Sequence, residues 1–313
     1  MSDESVELPG EMWGITTCFN PAGYDNKYDH LRRFSAAIRA QGLKLLVVEL
    51  ALRGQEFRLA DDVANRVIRV TSDTVLWHKE RLLNLAVRAL PAECDKVAWI
   101  DGDLLFENPN WVRETSELLE RYVMVQPYQH YCLLPRDVVT LPEAEGLPEF
   151  PGLAYARMTG DAAYVATALP GGAWAARRSL LERHGIYDRF VLGGGDAALG
   201  WAMYGDTEKW LSEGWFSVLL AKEVASDLQA WSTAFYEDVK GSVYYTPGRI
   251  FHLWHGDMKQ RRYVLRFMIL RDAEFDPAKD IALDSQGCWR WSSDKPELHR
   301  KVEDYFRARK EEG

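Results

Sequence analysis

Two aspartates, Asp101 and Asp103, stand one residue apart at the end of the apolar run Val97-Ala98-Trp99-Ile100, and Leu104-Leu105-Phe106 follows at once. A run of that length reads as a buried strand. Packing gives no reason for two carboxylates there, because an unpaired buried charge is costly. Open α/β folds bind ligands outside the carboxyl ends of their strands. Two carboxylates at such an end can share a hard divalent cation that keeps phosphate oxygens in its shell. The stretch reads as a metal–phosphate site; the competing reading is a solvated turn that happens to carry two acids.

Three later groups carry chemistry of their own. Asp196 follows Gly193-Gly194-Gly195. Glycines let a substrate come close, which suits Asp196 to act as a general base, though the same position suits a plain helix N-cap. His255 stands at a strand end before Gly256, where it can reach a site, with His252 as the alternative on the opposite face of a regular strand. Either histidine could instead be a hydrogen-bonded core residue. Lys259, Arg261 and Arg262 follow and can pair with a diphosphate or form a solvated face.

These residues need a scaffold, and the pattern around them supplies one. Met12 to Phe19 reads as a first strand, broken by Asn20-Pro21-Ala22-Gly23. Leu31, Phe34 and Ile38 recur at helical spacing between Tyr28 and Ala40, and Gln41-Gly42 closes that helix. Lys44 to Leu50 is nearly all apolar, as strands buried on both faces are. The strand Val67 to Val70, a helix from Lys79 to Leu90, the strand into Asp101, a helix from Asn110 to Arg121 and the strand Val123 to Gln126 continue the alternation. Alternating strands and helices mean βαβ units and a mainly parallel sheet. No G-x-G-x-x-G follows the first strand, so the dinucleotide fingerprint is missing. Tyr128 to Leu169 reads as irregular chain. Leu169 to Ala176 is a glycine turn into a strand, and a helix follows from Arg177 to His184. Gly241 to Tyr245 and Arg249 to Trp254 are expected to form a hairpin.

Composition narrows the class. The chain has 313 residues, 47% hydrophobic, with twelve tryptophans, enough for a large core and against disorder. A net charge of -9 gives no general footprint for nucleic acid. Cys18, Cys94, Cys132 and Cys288 are scattered without a C-x-x-C pair, so they read as reduced thiols. The acidic N-terminus lacks the features of a signal peptide, and no apolar run is long enough to span a bilayer. The expected location is the cytoplasm, with no integral membrane contact.

An Asp-x-Asp strand, a Gly-Gly-Ala-Trp strand (Gly171 to Trp174), a Gly-Gly-Gly-Asp turn and a late histidine strand occur here in that order. The order resembles the GT-A fold glycosyltransferases, which use a nucleotide-diphosphate sugar and a divalent metal. The resemblance covers roughly residues 12 to 266. It implies an α/β, Rossmann-like, mainly parallel sheet flanked by helices, with a small hairpin and helical C-terminal part. It divides residues 1–266 into a nucleotide-binding half, 12–128, and an acceptor half, 129–266, and leaves 267–313 as a charged extension packed on the domain. It implies Mn2+ or Mg2+ at Asp101, Asp103 and His255, with Asp103 the direct ligand and Asp101 a ribose contact or support. Asp196 matches the base of inverting members. Thr16 and Thr17 fall where the family holds base and ribose, Trp77, Lys79 and Asn84 where a helix shapes the nucleotide pocket, and Gly171, Gly172, Trp174 and Lys259 near the sugar and diphosphate. Each also has a plain reading: Thr16 and Thr17 as strand residues, Trp77 and Trp174 as core, Lys79 as surface.

The expected function is transfer of a sugar, from a UDP-sugar, to an acceptor hydroxyl by a hexosyltransferase. A sugar nucleotidyltransferase would want a glycine-rich basic loop where Cys18-Phe19-Asn20-Pro21 stands. A haloacid-dehalogenase-type phosphatase would want Thr or Val at Leu105. A carbohydrate-binding protein without catalysis would not need the acidic pair and Asp196. Acceptors of such enzymes include glycans, lipids, proteins, small molecules and hydroxymethylated DNA bases. The segments Lys259 to Arg271 and His299 to Lys310 are the basic stretches that DNA would need.

Overall fold

The computed structural model describes residues 5–138, 144–213, 216–256 and 261–312. The strands, in chain order, are β1 (Glu11–Phe19), β2 (Lys44–Leu52), β3 (Arg66–Ser72), β4 (Cys94–Ile100), β5 (Leu104–Phe106), β6 (Met124–Gln126) and β7 (His130–Leu133). Then come β8 (Glu149–Pro151), β9 (Ala173–Arg177), β10 (Val243–Tyr245), β11 (Arg249–His252), β12 (Ile281–Leu283) and β13 (Trp289–Trp291). The helices are α1 (Asn26–Ala40), α2 (Lys79–Arg88), α3 (Trp111–Leu119), α4 (Leu153–Thr159), α5 (Ala162–Thr167), α6 (Arg178–His184) and α7 (Gly195–Tyr204). They continue with α8 (Thr207–Glu213), α9 (Phe216–Leu219), α10 (Lys222–Val239), α11 (Leu265–Asp272), α12 (Pro277–Asp280) and α13 (Pro296–Arg307).

Seven strands form the central sheet in the order β10-β6-β9-β4-β1-β2-β3. Only β9 runs antiparallel to its neighbours, so the sheet is mixed and mainly parallel, as the alternation predicts. Its two faces bury opposite side chains. Val47, Ala98 and Ile100 pack with Leu31 and Phe34 of α1 and Trp111 of α3. Val48, Val97 and Trp99 pack with α2, α6, α7 and α10. β2 is buried from Leu45 to Leu52. Its one acid, Glu49, accepts the N–H groups of Arg58 and Leu59 at 2.6 and 3.0 Å, which offsets the loss of water.

Several expectations change. The hairpin is not formed. β10 pairs parallel with β6 at the edge of the central sheet, whereas β11 joins a second sheet, β5-β11-β7-β8. The connection Thr246-Pro247-Gly248 is held elsewhere: Thr246 N donates to Gln126 O at 2.9 Å, and Gln129 N donates to Gly248 O at 2.8 Å. The result sets His252 on β11 opposite Leu104 on β5, next to Asp103. The stretch from Tyr128 to Leu169 holds β7, β8, α4 and α5 rather than irregular chain. The glycine turn read after Leu169 leads, as expected, into a strand, which starts at Ala173.

The C-terminal part packs on the core through Trp289, Leu298, Val302 and Phe306. Its cations are matched along α13: Lys301 with Glu297, Arg300 with Asp304 and Arg307 with Glu303. This segment is therefore not the unpaired basic face that a DNA backbone needs. No helix among the described residues is long and apolar enough to cross a membrane. All four cysteines are free and buried.

Candidate active site

A cavity of about 400 Å³ opens at the carboxyl ends of β1 and β4. The Asp101-Gly102-Asp103 turn forms its floor, fixed at both ends by backbone bonds. Asp101 N donates to Gly172 O at 2.8 Å, and Leu253 N donates to Asp103 O at 2.9 Å. A Cβ at Gly102 would lie 2.7 Å from Leu31 Cδ1, so the turn rests directly on α1.

The two carboxylates point to different partners. Asp103 Oδ2 lies 3.2 Å from His255 Nε2 and 3.7 Å from His252 Nε2. The two ring nitrogens are 2.9 Å apart. One donor atom from each of the three residues falls within 4.8 Å of the others. Burial lowers the His252 pKa to about 3 and puts His255 well below the usual range, so both rings stay neutral. Arg261 Nη2 sits 3.0 Å from His255 Nε2. Because a guanidinium only donates, that nitrogen presents a lone pair. Asp103 Oδ1 is buried without a hydrogen-bond partner among the described residues. One carboxylate and two neutral imidazoles fit a divalent transition metal. Both histidines belong to this set, where the sequence weighed one against the other.

Asp101 stands outside that cluster. Its Oδ1 lies 2.6 Å from Lys79 Nζ, which also reaches Asp196 Oδ1 at 3.3 Å. The metal role expected for Asp101 therefore does not match its position, since its carboxylate is taken up by an ion pair. Burial, partly opposed by Lys79, raises its pKa to about 6. Burial also works against the Lys79 charge, but Asp101, Asp196 and Glu80 hold the ammonium well above its ordinary range.

Asp196 is not the N-cap of its helix. Gly194 holds that place at φ 124°, and Asp196 lies in the first turn of α7 with its side chain 38% exposed to the cavity. A Cβ on Gly171 would stand 3.0 Å from Asp196 Oδ2, so the opposite wall approaches the carboxylate as closely as a backbone can.

The other expected residues divide. Thr16, Thr17, Trp77, Lys79, Gly171 and Gly172 line the cavity. Trp77 also packs against Phe19 and Phe306 and lies under the Arg309 guanidinium. Asn84 does not reach the cavity. It donates to Ile186 O at 2.8 Å and Asp188 Oδ2 at 3.0 Å and accepts from Ile186 N at 2.8 Å. Lys79 and Leu83, four apart, share the cavity face of α2, and one further step turns Asn84 toward the chain after α6. Trp174 is core: it is buried, and its ring N–H donates to Pro170 O at 2.7 Å. Arg261 enters the cavity, while Arg262 is exposed outside it. Lys259 lies outside the described residues.

The sequence reading missed Lys27, His30, Glu80, Tyr131, Arg266, Arg309 and Glu311, all of which line the cavity. Lys27 and His30 had a signal, because they extend the Leu31–Phe34 face of α1 by helical spacing. Arg309 and Glu311 had none. Glu311 is buried against Lys27 at 2.7 Å. Burial opposes its charge, but Lys27 and Arg309 hold its pKa at about 2.

Glu80 gives a pH prediction. Burial, offset in part by Lys79, raises its pKa from 4.5 to about 8. The folded protein thus keeps a proton that the unfolded chain releases. Stability from this group is complete below pH 4.5 and is lost as pH climbs toward 8. Glu80→Gln should remove a pH-dependent loss of unfolding free energy on the order of a few kcal/mol, read as a flatter fall of Tm between pH 5 and 8.5. Parallel Tm–pH curves for the two proteins would refute this.

No family model matches this chain, and no curated protein matches it. Similar solved structures include glucosyl-3-phosphoglycerate synthase from Mycobacterium tuberculosis with Mn2+, uridine diphosphate and phosphoglyceric acid, at 15% identity over 88% of this chain and 82% of that chain, TM-score 0.40. The same synthase with Mn2+, UDP-glucose and phosphoglyceric acid aligns at 15% identity over 92% of this chain and 88% of that chain, TM-score 0.43. A mutant Drosophila β1,4-galactosyltransferase 7 with manganese, UDP-galactose and xylobiose aligns at 12% identity over 92% of this chain and 97% of that chain, TM-score 0.41. A likeness at this level assigns no role to any residue here.

Proposed function

We propose that this chain is a metal-dependent glycosyltransferase of the GT-A type that moves a hexose from a UDP-sugar to an acceptor hydroxyl with inversion. The observation that supports it most is the separation of labour among the acids of one cavity: Asp103 stands with two neutral histidines, whereas Asp101 and Asp196 flank Lys79. Asp103, His252 and His255 would hold the cation. Two nitrogen ligands favour Mn2+ over Mg2+, which prefers oxygen. A cation held there supplies positive charge against the departing diphosphate.

The protein groups do the rest. Arg261 donates to diphosphate oxygens with the same N–H it now directs at His255. Thr16, Thr17 and Trp77 line the nucleoside end, and Gly171 and Gly172 admit the sugar. Lys79 holds Asp101 and leaves Asp196 facing the acceptor. The acceptor oxygen attacks the anomeric carbon, the carbon–oxygen bond to the diphosphate breaks with its electron pair, and Asp196 takes the hydroxyl proton.

Thermal unfolding with UDP, UDP-glucose and UDP-galactose, each with Mn2+, Mg2+ or chelator, tests the reading. A ligand at a hundred times its Kd adds about 2.7 kcal/mol, a rise of several degrees. The expected result is a UDP-dependent rise that is larger with Mn2+ than with Mg2+ and absent with chelator. A flat response to every nucleotide under all three conditions would sink it.

A further inference from the structure

Among the described residues, five cations line the cavity: Lys27, Lys79, Arg261, Arg266 and Arg309. Lys27 and Arg309 pair with Glu311, and Lys79 pairs with Asp101 and Asp196. Arg261 and Arg266 have no ion-pair partner among the described residues. In both, Nε is buried without a hydrogen-bond acceptor among the described residues. A half-buried cation without a counter-charge is unfavourable, so a site that keeps two of them is balanced when its ligands bring anions.

The donor accounts for one. A divalent cation and Arg261 together match Asp103 and the two negative charges of the diphosphate. Arg266 then remains unmatched, and its surroundings are those of a second subsite. It enters from the first turn of α11, with its guanidinium over the rings of Tyr263 and Phe267, each 4.9 Å away. Its Nη1 would lie 3.1 Å from a Cβ on Gly193, so it rests on the glycine turn that leads to Asp196. Tyr305 OH donates to Arg261 O at 2.9 Å, which ties the 261–266 turn to α13. One hydrogen bond of the guanidinium goes to the Tyr305 side chain; with its faces against aromatic rings, its remaining N–H groups match a carboxylate or phosphate.

We propose that Arg266 binds an anionic group on the acceptor, and that the acceptor is a small anionic hydroxy compound rather than a neutral glycan. This rests on the nucleotide-sugar reading above. Arg266 holds the acid or phosphate while the hydroxyl of the same molecule faces Asp196.

The test titrates the protein, saturated with Mn2+ and UDP, with glycerol phosphate, lactate and glycerol, followed by calorimetry. At least one anionic probe should bind about tenfold or more tighter than glycerol, and the stronger of the two tells phosphate from carboxylate. Arg266→Gln should erase the difference and leave the UDP affinity unchanged; Arg266→Lys should restore part of it. Equal response to anionic and neutral probes would overturn the proposal, as would an Arg266→Gln variant that loses UDP binding instead. Failure of wild-type protein to bind UDP overturns the donor reading. Inorganic phosphate titrated into the nucleotide-free protein then decides Arg266 alone: Arg266-dependent binding keeps the anion site, and its absence removes it.

Discussion

Asp103→Ala is expected to lower Mn2+-dependent UDP release by about 1,000-fold or more while the protein stays folded. The activity loss follows from the donor set. Without Asp103 the cluster keeps two neutral imidazoles and loses its carboxylate, and Arg261 repels a cation beside them. The intact fold follows from the state of the carboxylate. Burial pushes its pKa up, and Oδ1 has no hydrogen-bond partner among the described residues, so without metal the fold gains little from its charge. Removing it should change metal-free stability by no more than about 1 kcal/mol. Calorimetric Mn2+ binding supplies a readout independent of turnover: wild type binds, and Asp103→Ala and Asp103→Asn do not. His252→Ala and His255→Ala should each weaken Mn2+ binding, whereas Asp101→Asn should leave Mn2+ on the protein. Undiminished Mn2+-dependent release by Asp103→Ala would remove the cation site from Asp103, His252 and His255.

That division between Asp101 and Asp103 marks how far the sequence could be read. The strand before the pair was legible because a run such as Val97 to Ile100 has one stable place, the interior of a sheet. The same holds for β2 and for the apolar face of α1. Partner choice was not legible. β10 and β11 look like a hairpin by length and by their turn, yet each bonds to chain more than a hundred residues earlier, and that choice depends on edges that local pattern does not encode. His252 failed for this reason: a regular strand puts it opposite His255, but β11 ends at His252, so the chain can turn both rings onto Asp103. Asn84 and Trp174 were misplaced for a simpler one. A polar or aromatic residue near a site serves packing as readily as binding, and one step along a helix or strand decides which. Arg309 and Glu311 arrive from the segment expected to be a charged extension, and Arg266 from the last position of the acceptor half, where local spacing gives no sign that a charge turns into a cavity.

Asp196→Asn is the sharper test of the chemistry, with transfer expected to fall by about 100- to 10,000-fold and the UDP-dependent thermal rise unchanged. The amide keeps the shape of the carboxylate and cannot take the proton. The amide oxygen can still accept from Lys79 at the position of the 3.3 Å contact, and Lys79 keeps its ion pair with Asp101 at 2.6 Å, so the floor of the donor site keeps its geometry. If Asp196 were only a helix-start acid, the same change would cost stability and little turnover, yet Gly194 holds the N-cap. Gly171→Ala gives an independent check, because its new Cβ would crowd Oδ2 from 3.0 Å and move the base without altering its identity. About a tenfold loss of transfer with unchanged UDP affinity is the expected result. Product stereochemistry closes the argument: a base placed beside the acceptor serves attack from the face opposite the leaving group, so the new bond should be inverted. A retained configuration, or normal transfer by Asp196→Asn, would leave Asp196 without the role its position suggests and return Lys79 with its two carboxylates to a purely structural ion pair.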